Sequence, residues 1–220
     1  MDYQFPDSVL IVFCKAPIPG QVKTRLQPAL SAEQAAAAHE QLTLMTLNRA
    51  FRQPLCPVQL YCAPDSRHPF FHTCAEQFPV GLAEQRGDEL GSRMRNAFSA
   101  AFGRYRHVVL MGCDCPSLTV ADLQQAFNAL RNGKDAVLAP TEDGGYVLIG
   151  LNAPQPALFA NMRWGHDQVM AETRRRANDA KLNWQELGRQ WDVDWITDWY
   201  RYLAELKPDS VAESSAAEMK

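Results

Sequence analysis

The feature that most restricts the fold is a set of short, unbroken apolar runs, each cut off by glycine, proline or charge. Residues 8–14 read SVLIVFC, residues 107–118 read HVVLMGCDCPSL and residues 135–140 read DAVLAP. Runs of this length, with β-branched residues and closed by turn formers, read as buried strands rather than helices. Helical stretches lie between them. Residues 31–34 have the form S-x-x-Q, a capping box, ahead of a helix through about residue 51 with the composition AEQAAAAHEQLTLM. Leu90, Met94, Ala97, Phe98 and Ala101 recur at helical spacing. Thr119 to Asp122 opens another helix that ends near Asn132-Gly133. Alternation of this kind predicts an α/β fold, a mostly parallel sheet with helices on both faces.

Ligands of open α/β sheets bind just beyond the carboxyl ends of the strands. Asp114 stands there, directly after the run 108–111 and among apolar neighbours. A carboxylate in such surroundings needs a partner. A hard cation such as Mg2+ is one, and a helix start or a turn that Asp114 caps is the other. The loop after the first strand, KAPIPGQVKTRLQPAL over residues 15–30, carries Lys15, Lys23 and Arg25, and Pro17 and Gly20 keep it irregular. A basic loop at the end of a first strand receives phosphates in nucleotide folds, although a solvated loop has the same composition. Neither the GxxxxGK[ST] nor the GxGxxG spacing is present.

Residues 57–63 (PVQLYCA) and 79–84 read as two further strands, with a turn and short helix between them after Pro69. Gln85, Gly87 and Gly91 precede or open the next helix, where small residues either allow a flat ligand near the backbone or form a plain tight turn. Asp143-Gly144-Gly145 is a turn into a strand over residues 146–151. That places Asp143 at the same edge as Asp114, the coincidence of acids that a metal-and-phosphate site needs. Trp164 beside Gly165 is a platform for a sugar or base, or a buried core residue. A helix follows from residue 168 to about 178. Residues 191–194 (WDVD) read as the end of a short strand before a helix over 195–206, with one of Asp192 and Asp194 reaching the site and the other capping that helix. His39 reads as a surface residue of its helix.

At 220 residues, with 46% hydrophobic and 21% charged residues, the chain fits one globular domain. A net charge of −3 does not suggest a nucleic-acid-binding surface, and no apolar run is long enough to span a membrane. The start MDYQFPDSV lacks the pattern of a signal peptide. Six scattered cysteines without a CxxC pair predict a reduced, cytoplasmic protein. The small polar stretch 207–220 reads as a disordered tail behind a single domain over residues 1–206.

Taken in order, FCKAPIPGQVKTRL, QRGDELGSRM, MGCDCPSL, PTEDGGYVLIGL, RWGHDQV and WDVDWITD resemble the bacterial glycosyltransferase-like family of the GT-A, or nucleotide-diphospho-sugar transferase, superfamily. The first loop is also similar to that of the phospholactate guanylyltransferases. The resemblance implies a Rossmann-like GT-A domain that binds an activated nucleotide. It implies nucleotide contacts from Lys15, Pro17, Gly20, Lys23 and Arg25, with Gln85, Gly87 and Gly91 lining the base or ribose pocket. Asp114 matches the superfamily's metal-binding acid, but the usual Asp-x-Asp is absent because residue 112 is Gly and residue 116 is Pro. The second ligand to Mg2+ or Mn2+ would come from Asp143, Asp192 or Asp194, and Asp194 is the one expected. Asp143 is the implied general base, and Gly144, Gly145 and Trp164 the acceptor or substrate contacts. The implied partners are a nucleotide-sugar and a small-molecule acceptor. Nucleotidyl transfer from a nucleoside triphosphate to a phosphorylated small molecule is the alternative, and nucleotide binding without turnover a third.

Overall fold

A computed structural model describes residues 2–206. The chain runs β1 (Ser8–Lys15), α1 (Ala32–Phe51), β2 (Val58–Ala63), α2 (Pro69–Gln77), β3 (Gly81–Glu84), α3 (Leu90–Phe102), β4 (His107–Met111) and α4 (Val120–Arg131). It continues through β5 (Ala136–Pro140), β6 (Tyr146–Leu151), α5 (Val169–Asp179), β7 (Trp184–Glu186) and α6 (Ile196–Glu205). The expected disordered tail, residues 207–220, lies outside the described residues.

The strands form one sheet in the order β3-β2-β1-β4-β6-β5-β7. β6 is antiparallel to both of its neighbours and every other pairing is parallel. From β1 the chain winds outward through β2 and β3, then returns to place β4 on the other side of β1. The order therefore reverses between β1 and β4, which is where an open α/β sheet leaves a crevice at the strand ends.

The unbroken apolar character of β1 follows from its position. Leu10, Val12 and Cys14 face the core under α1, α2 and α4, while Val9, Ile11 and Phe13 face the one under α3 and α5. With side chains alternating across a strand, a strand covered on both faces has no polar register left. A third cluster joins Leu26, Leu42, Trp191, Val193, Trp199 and Tyr202, and packs α6 against α1. The capping boxes at Ser31–Gln34 and Thr119–Asp122 both form.

Several expectations are corrected. Residues 191–194 are not the end of a strand. The seventh strand is Trp184–Glu186, and beyond it a single bridge joins Gln190 to Thr141. The alternation of WDVD is nonetheless real, for Trp191 and Val193 are buried while Asp192 and Asp194 are half-buried. The segment crosses the strand ends, with the Val193 N–H donating to the Asp114 carbonyl, so it has no neighbour to ladder with. Neither aspartate caps α6, because the Asp198 carboxylate accepts from the N–H groups of Asp194 and Trp195 at 3.1 and 2.7 Å. His39 is buried rather than on the surface, and Leu90 is 44% exposed rather than part of the core.

Phe127 of α4 is fully buried and stacks on Phe5 with ring centroids 5.3 Å apart. Phe127→Ala is expected to cost about 3–5 kcal/mol of unfolding free energy, read as a lower urea midpoint. Leu90→Ala, on an exposed side chain, should leave the midpoint nearly unchanged.

Candidate active site

The crevice at the carboxyl ends of β1 and β4 comprises two adjoining hollows of about 510 and 450 Å³. The larger lies over the first loop, with Lys15, Gln21, Lys23, Arg25 and Gln85 in its wall. The smaller runs under Asp143, Tyr146, Trp164, Asp192 and Trp195. Phe13, Leu90, Asp114 and Asp194 border both.

Lys23 is the centre of the polar network. Its ammonium donates to Asp114 Oδ2 at 2.6 Å, to the Val193 carbonyl at 2.5 Å and to Asp194 Oδ1 at 3.3 Å. Its side chain is only 7% exposed. Burial alone would push the Lys23 ammonium down, yet the carboxylates of Asp114 and Asp194 hold it above its ordinary value. Burial likewise pushes the Asp114 carboxyl up, and the charge and hydrogen bond of Lys23 override it and hold it low. Lys23 adopts a left-handed backbone, φ 46° and ψ 38°, a strain that its three side-chain contacts offset. Arg25 makes a more exposed pair with Asp194 at 2.6 Å and lies over the Trp195 ring.

The carboxylates of Asp143, Asp192 and Asp194 converge, each with one oxygen within 4.8 Å of the others. Asp143 comes from the turn between β5 and β6, where its Oδ1 accepts from Thr141 Oγ1 at 2.5 Å and the Gly145 N–H at 3.0 Å. The Asp192 carboxyl is pushed up to about 7 by burial first, and then by the charges of Asp114, Asp194 and Asp143. Three carboxylates so placed repel one another, and an all-oxygen set of this charge fits a hard divalent cation.

The residues singled out from sequence thus separate into groups. Asp114, Asp143, Asp194, Lys15, Lys23, Arg25, Gln85, Gly145 and Trp164 line the two hollows. Asp194 meets Asp143 and Asp192 in the acid cluster, whereas Asp114 is engaged by Lys23. The amide of Gln85 donates to the carbonyls of Cys14 and Tyr61, so it ties strand ends together. Pro17, Gly20, Gly87, Gly91 and Gly144 do not line either hollow. Gly91 is buried, and a Cβ there would fall 2.8 Å from the Phe159 carbonyl oxygen and 2.9 Å from Trp164 Nε1. Gly144 has φ +90° and abuts the Asp167 backbone. These two glycines serve close packing. Asp192 completes the acid cluster, and its signal was the position opposite Val193 in an alternating segment.

The family profile described as an uncharacterized protein conserved in bacteria (DUF2064) matches residues 46–166. The chain is 32% identical to a candidate nucleotide-diphospho-sugar transferase from Desulfovibrio desulfuricans G20. That match covers 96% of this chain and 92% of the other with a TM-score of 0.84. It shares its fold with 4-diphosphocytidyl-2C-methyl-D-erythritol synthase from Anaerococcus prevotii DSM 20548 at 11% identity, covering 92% and 99% of the two chains, TM-score 0.62. It also shares it with a Mycobacterium tuberculosis H37Rv protein solved in complex with manganese, at 15% identity, 90% and 99% coverage and TM-score 0.53. No curated protein matches the chain in sequence. Among the described residues, no helix is long and apolar enough to cross a membrane.

Two outcomes follow from these charges. Lys23→Met leaves the Asp114 carboxylate without its partner and is expected to cost about 3–5 kcal/mol, whereas Arg25→Met, on a half-exposed side chain, should cost less than about 1 kcal/mol; urea titrations compare them. Because the Asp192 carboxyl is raised, the folded protein holds its proton more tightly than the unfolded chain, and stability falls as pH climbs toward and through about 7. Asp192→Asn in metal-free protein should therefore raise the melting temperature at pH 8, with the gain vanishing near pH 4.

Proposed function

The chain belongs to the bacterial DUF2064 family, and from that premise we propose that it is a glycosyltransferase, moving a sugar from a nucleotide-diphospho-sugar to a small acceptor with the help of a divalent cation. The observation that carries this reading is the convergence of Asp143, Asp192 and Asp194 at the strand-order reversal, beside a basic first loop. The relative at 32% identity, a candidate nucleotide-diphospho-sugar transferase, supports it.

Asp192 and Asp194 would hold Mg2+ or Mn2+, which when bound would neutralise charge on a diphosphate leaving group. Lys15 and Arg25, at the mouth of the larger hollow, bind the phosphates. Lys23 is committed to Asp114 and Asp194, so its part is to fix the acids and the crossing segment rather than to reach out to a donor. Trp164, Tyr146 and Leu90 form the apolar walls of the smaller hollow, suited to the flat face of a sugar or base. Asp143 is the general base. Its Oδ1 is fixed by Thr141 and Gly145, and among the described residues its Oδ2 accepts no hydrogen bond, which leaves that oxygen to take the proton of an acceptor hydroxyl.

Nucleotidyl transfer is the second reading, favoured by Lys15 and Arg25 in the wall of the larger hollow, cations suited to the phosphates of a nucleoside triphosphate. The products separate the two. With Mn2+ and panels of nucleotide-sugars and nucleoside triphosphates, glycosyl transfer liberates a nucleoside diphosphate, and nucleotidyl transfer liberates pyrophosphate. Asp143→Asn is expected to lower kcat by about 10²–10⁴-fold while nucleotide affinity stays within a few-fold. Binding without turnover across both panels would leave a nucleotide-binding protein and sink the transferase reading.

A further inference from the structure

Beneath the larger hollow lies a second cluster that the transferase reading does not use. Cys14 is the last residue but one of β1, and Cys113 lies two residues beyond β4. The parallel register that pairs Val12 with Met111 carries the two cysteines to adjacent positions. His39 comes up from α1. One ring nitrogen of His39 and the two sulfurs all lie within 4.8 Å of one another. All three residues are buried, with exposures of 2%, 5% and 4% for Cys14, His39 and Cys113.

The histidine is held in an unusual way for a core residue. Its Nε2 lies 2.9 Å from the Lys15 carbonyl and 3.6 Å from Cys14 Sγ. Its Nδ1 is buried with no hydrogen-bond partner among the described residues. With Nε2–H donating to the carbonyl, Nδ1 keeps a bare lone pair away from water. The nitrogen beside Cys14 Sγ is Nε2 itself, so a cation bound there would take the place of the Nε2 proton and of its bond to the Lys15 carbonyl, with the ring proton carried on Nδ1. Thr43 Oγ1, 3.4 Å from Cys14 Sγ, is a nearby oxygen for a fourth position.

We infer that Cys14, Cys113 and His39 form a binding site for a thiophilic divalent cation, with Zn2+ the occupant that this ligand set fits. Tetrahedral zinc, with bonds of about 2.3 Å to sulfur and 2.0–2.1 Å to nitrogen, sets its ligand atoms about 3.5–3.8 Å apart, a spacing this cluster can close to. On binding, two thiols each lose a proton to solvent and two zinc–thiolate bonds form. Two thiolates, a neutral imidazole and a dication sum to zero charge, which makes the site compatible with burial. Entry is from the first-loop hollow, whose wall includes all three residues. The cation would clamp the carboxyl ends of β1 and β4 one residue before Lys15 and Asp114. The site stands independently of the transferase reading, since it shares no ligand with the acid cluster.

The test uses the full, reduced chain titrated with Co2+ and then Zn2+, both as the free ions. Co2+ is expected to give thiolate-to-cobalt charge-transfer absorption with the intense visible bands of a tetrahedral site, and Zn2+ to abolish both. Cys113→Ser and Cys14→Ser should each lose the charge-transfer band. Cys74→Ser and Asp143→Asn should keep it, the latter because a carboxylate site gives no thiolate band. No thiolate band in the wild-type chain overturns the inference, and that readout does not depend on any variant folding. So does a band that survives both Cys14→Ser and Cys113→Ser, or loss of the two free thiols to a disulfide under conditions where Co2+ does not bind.

Discussion

The arrangement at the strand ends depends on the buried ammonium of Lys23. Five aspartates, Asp114, Asp143, Asp167, Asp192 and Asp194, line one crevice. Carboxylates at such density cannot all stay ionised without countercharge. Lys23 takes two of them and a carbonyl, and so fastens three segments remote in sequence, the first loop, the end of β4 and the crossing segment before α6. A lysine in this place is a structural cation. Its charge is what permits Asp114 to remain ionised close to a hydrophobic sheet edge.

The topology explains why acids from distant parts of the chain share an edge. In an all-parallel sheet, every strand ends at the same edge and begins at the opposite one, so a residue just before a strand stands far from one just after another. β6 breaks this pattern. Being antiparallel to β4, it starts where β4 ends, with Met111 opposite Leu148 and the Gly112 N–H donating to the Val147 carbonyl. The turn that delivers β6 therefore brings Asp143 to Asp114. Gly144 is needed in that turn because its φ of +90° and its contact with the Asp167 backbone leave no room for a side chain.

What was legible in the sequence follows from period and local chemistry. β1 and β4 declared themselves because both of their faces are covered, and α1 and α4 because their capping boxes are local hydrogen-bond patterns. The edge shared by Asp114 and Asp143 was legible because a hairpin turn can only reverse the chain. What failed depended on distant partners. The alternation of residues 191–194 correctly told buried from exposed side chains, but pairing needs a neighbour and the segment lies across the sheet. His39 stood in an alanine-rich helix with no Cys, His, Asp or Glu three or four residues away, and its companions are 25 residues away at Cys14 and farther still at Cys113. The engagement of Lys23 by Asp114 spans 91 residues, so a basic loop read as phosphate-binding gave no hint that one of its cations faces inward.

The two clusters at this edge divide by hardness. Counting formal charge over the residues lining the crevice, Asp114, Asp143, Asp167, Asp192 and Asp194 give five negatives, and Lys15, Lys23 and Arg25 give three positives, leaving two negatives, the charge that one divalent cation matches. In the absence of that charge, the proton on Asp192 supplies part of the compensation, its carboxyl being driven up to about 7 by burial first and by the neighbouring carboxylates second. The sulfur and nitrogen ligands lie inside the fold and the oxygen ligands face the crevice. Cys113 and Asp114 are consecutive residues, yet one belongs to the soft set and the other to the paired acids. Softness and burial reinforce each other, because thiolates and imidazole bind a borderline-soft ion strongly and carboxylates with water hold Mg2+ or Mn2+. A fold that separates its donors in this way presents a soft, buried set at the strand ends and a hard, more open set toward the crevice.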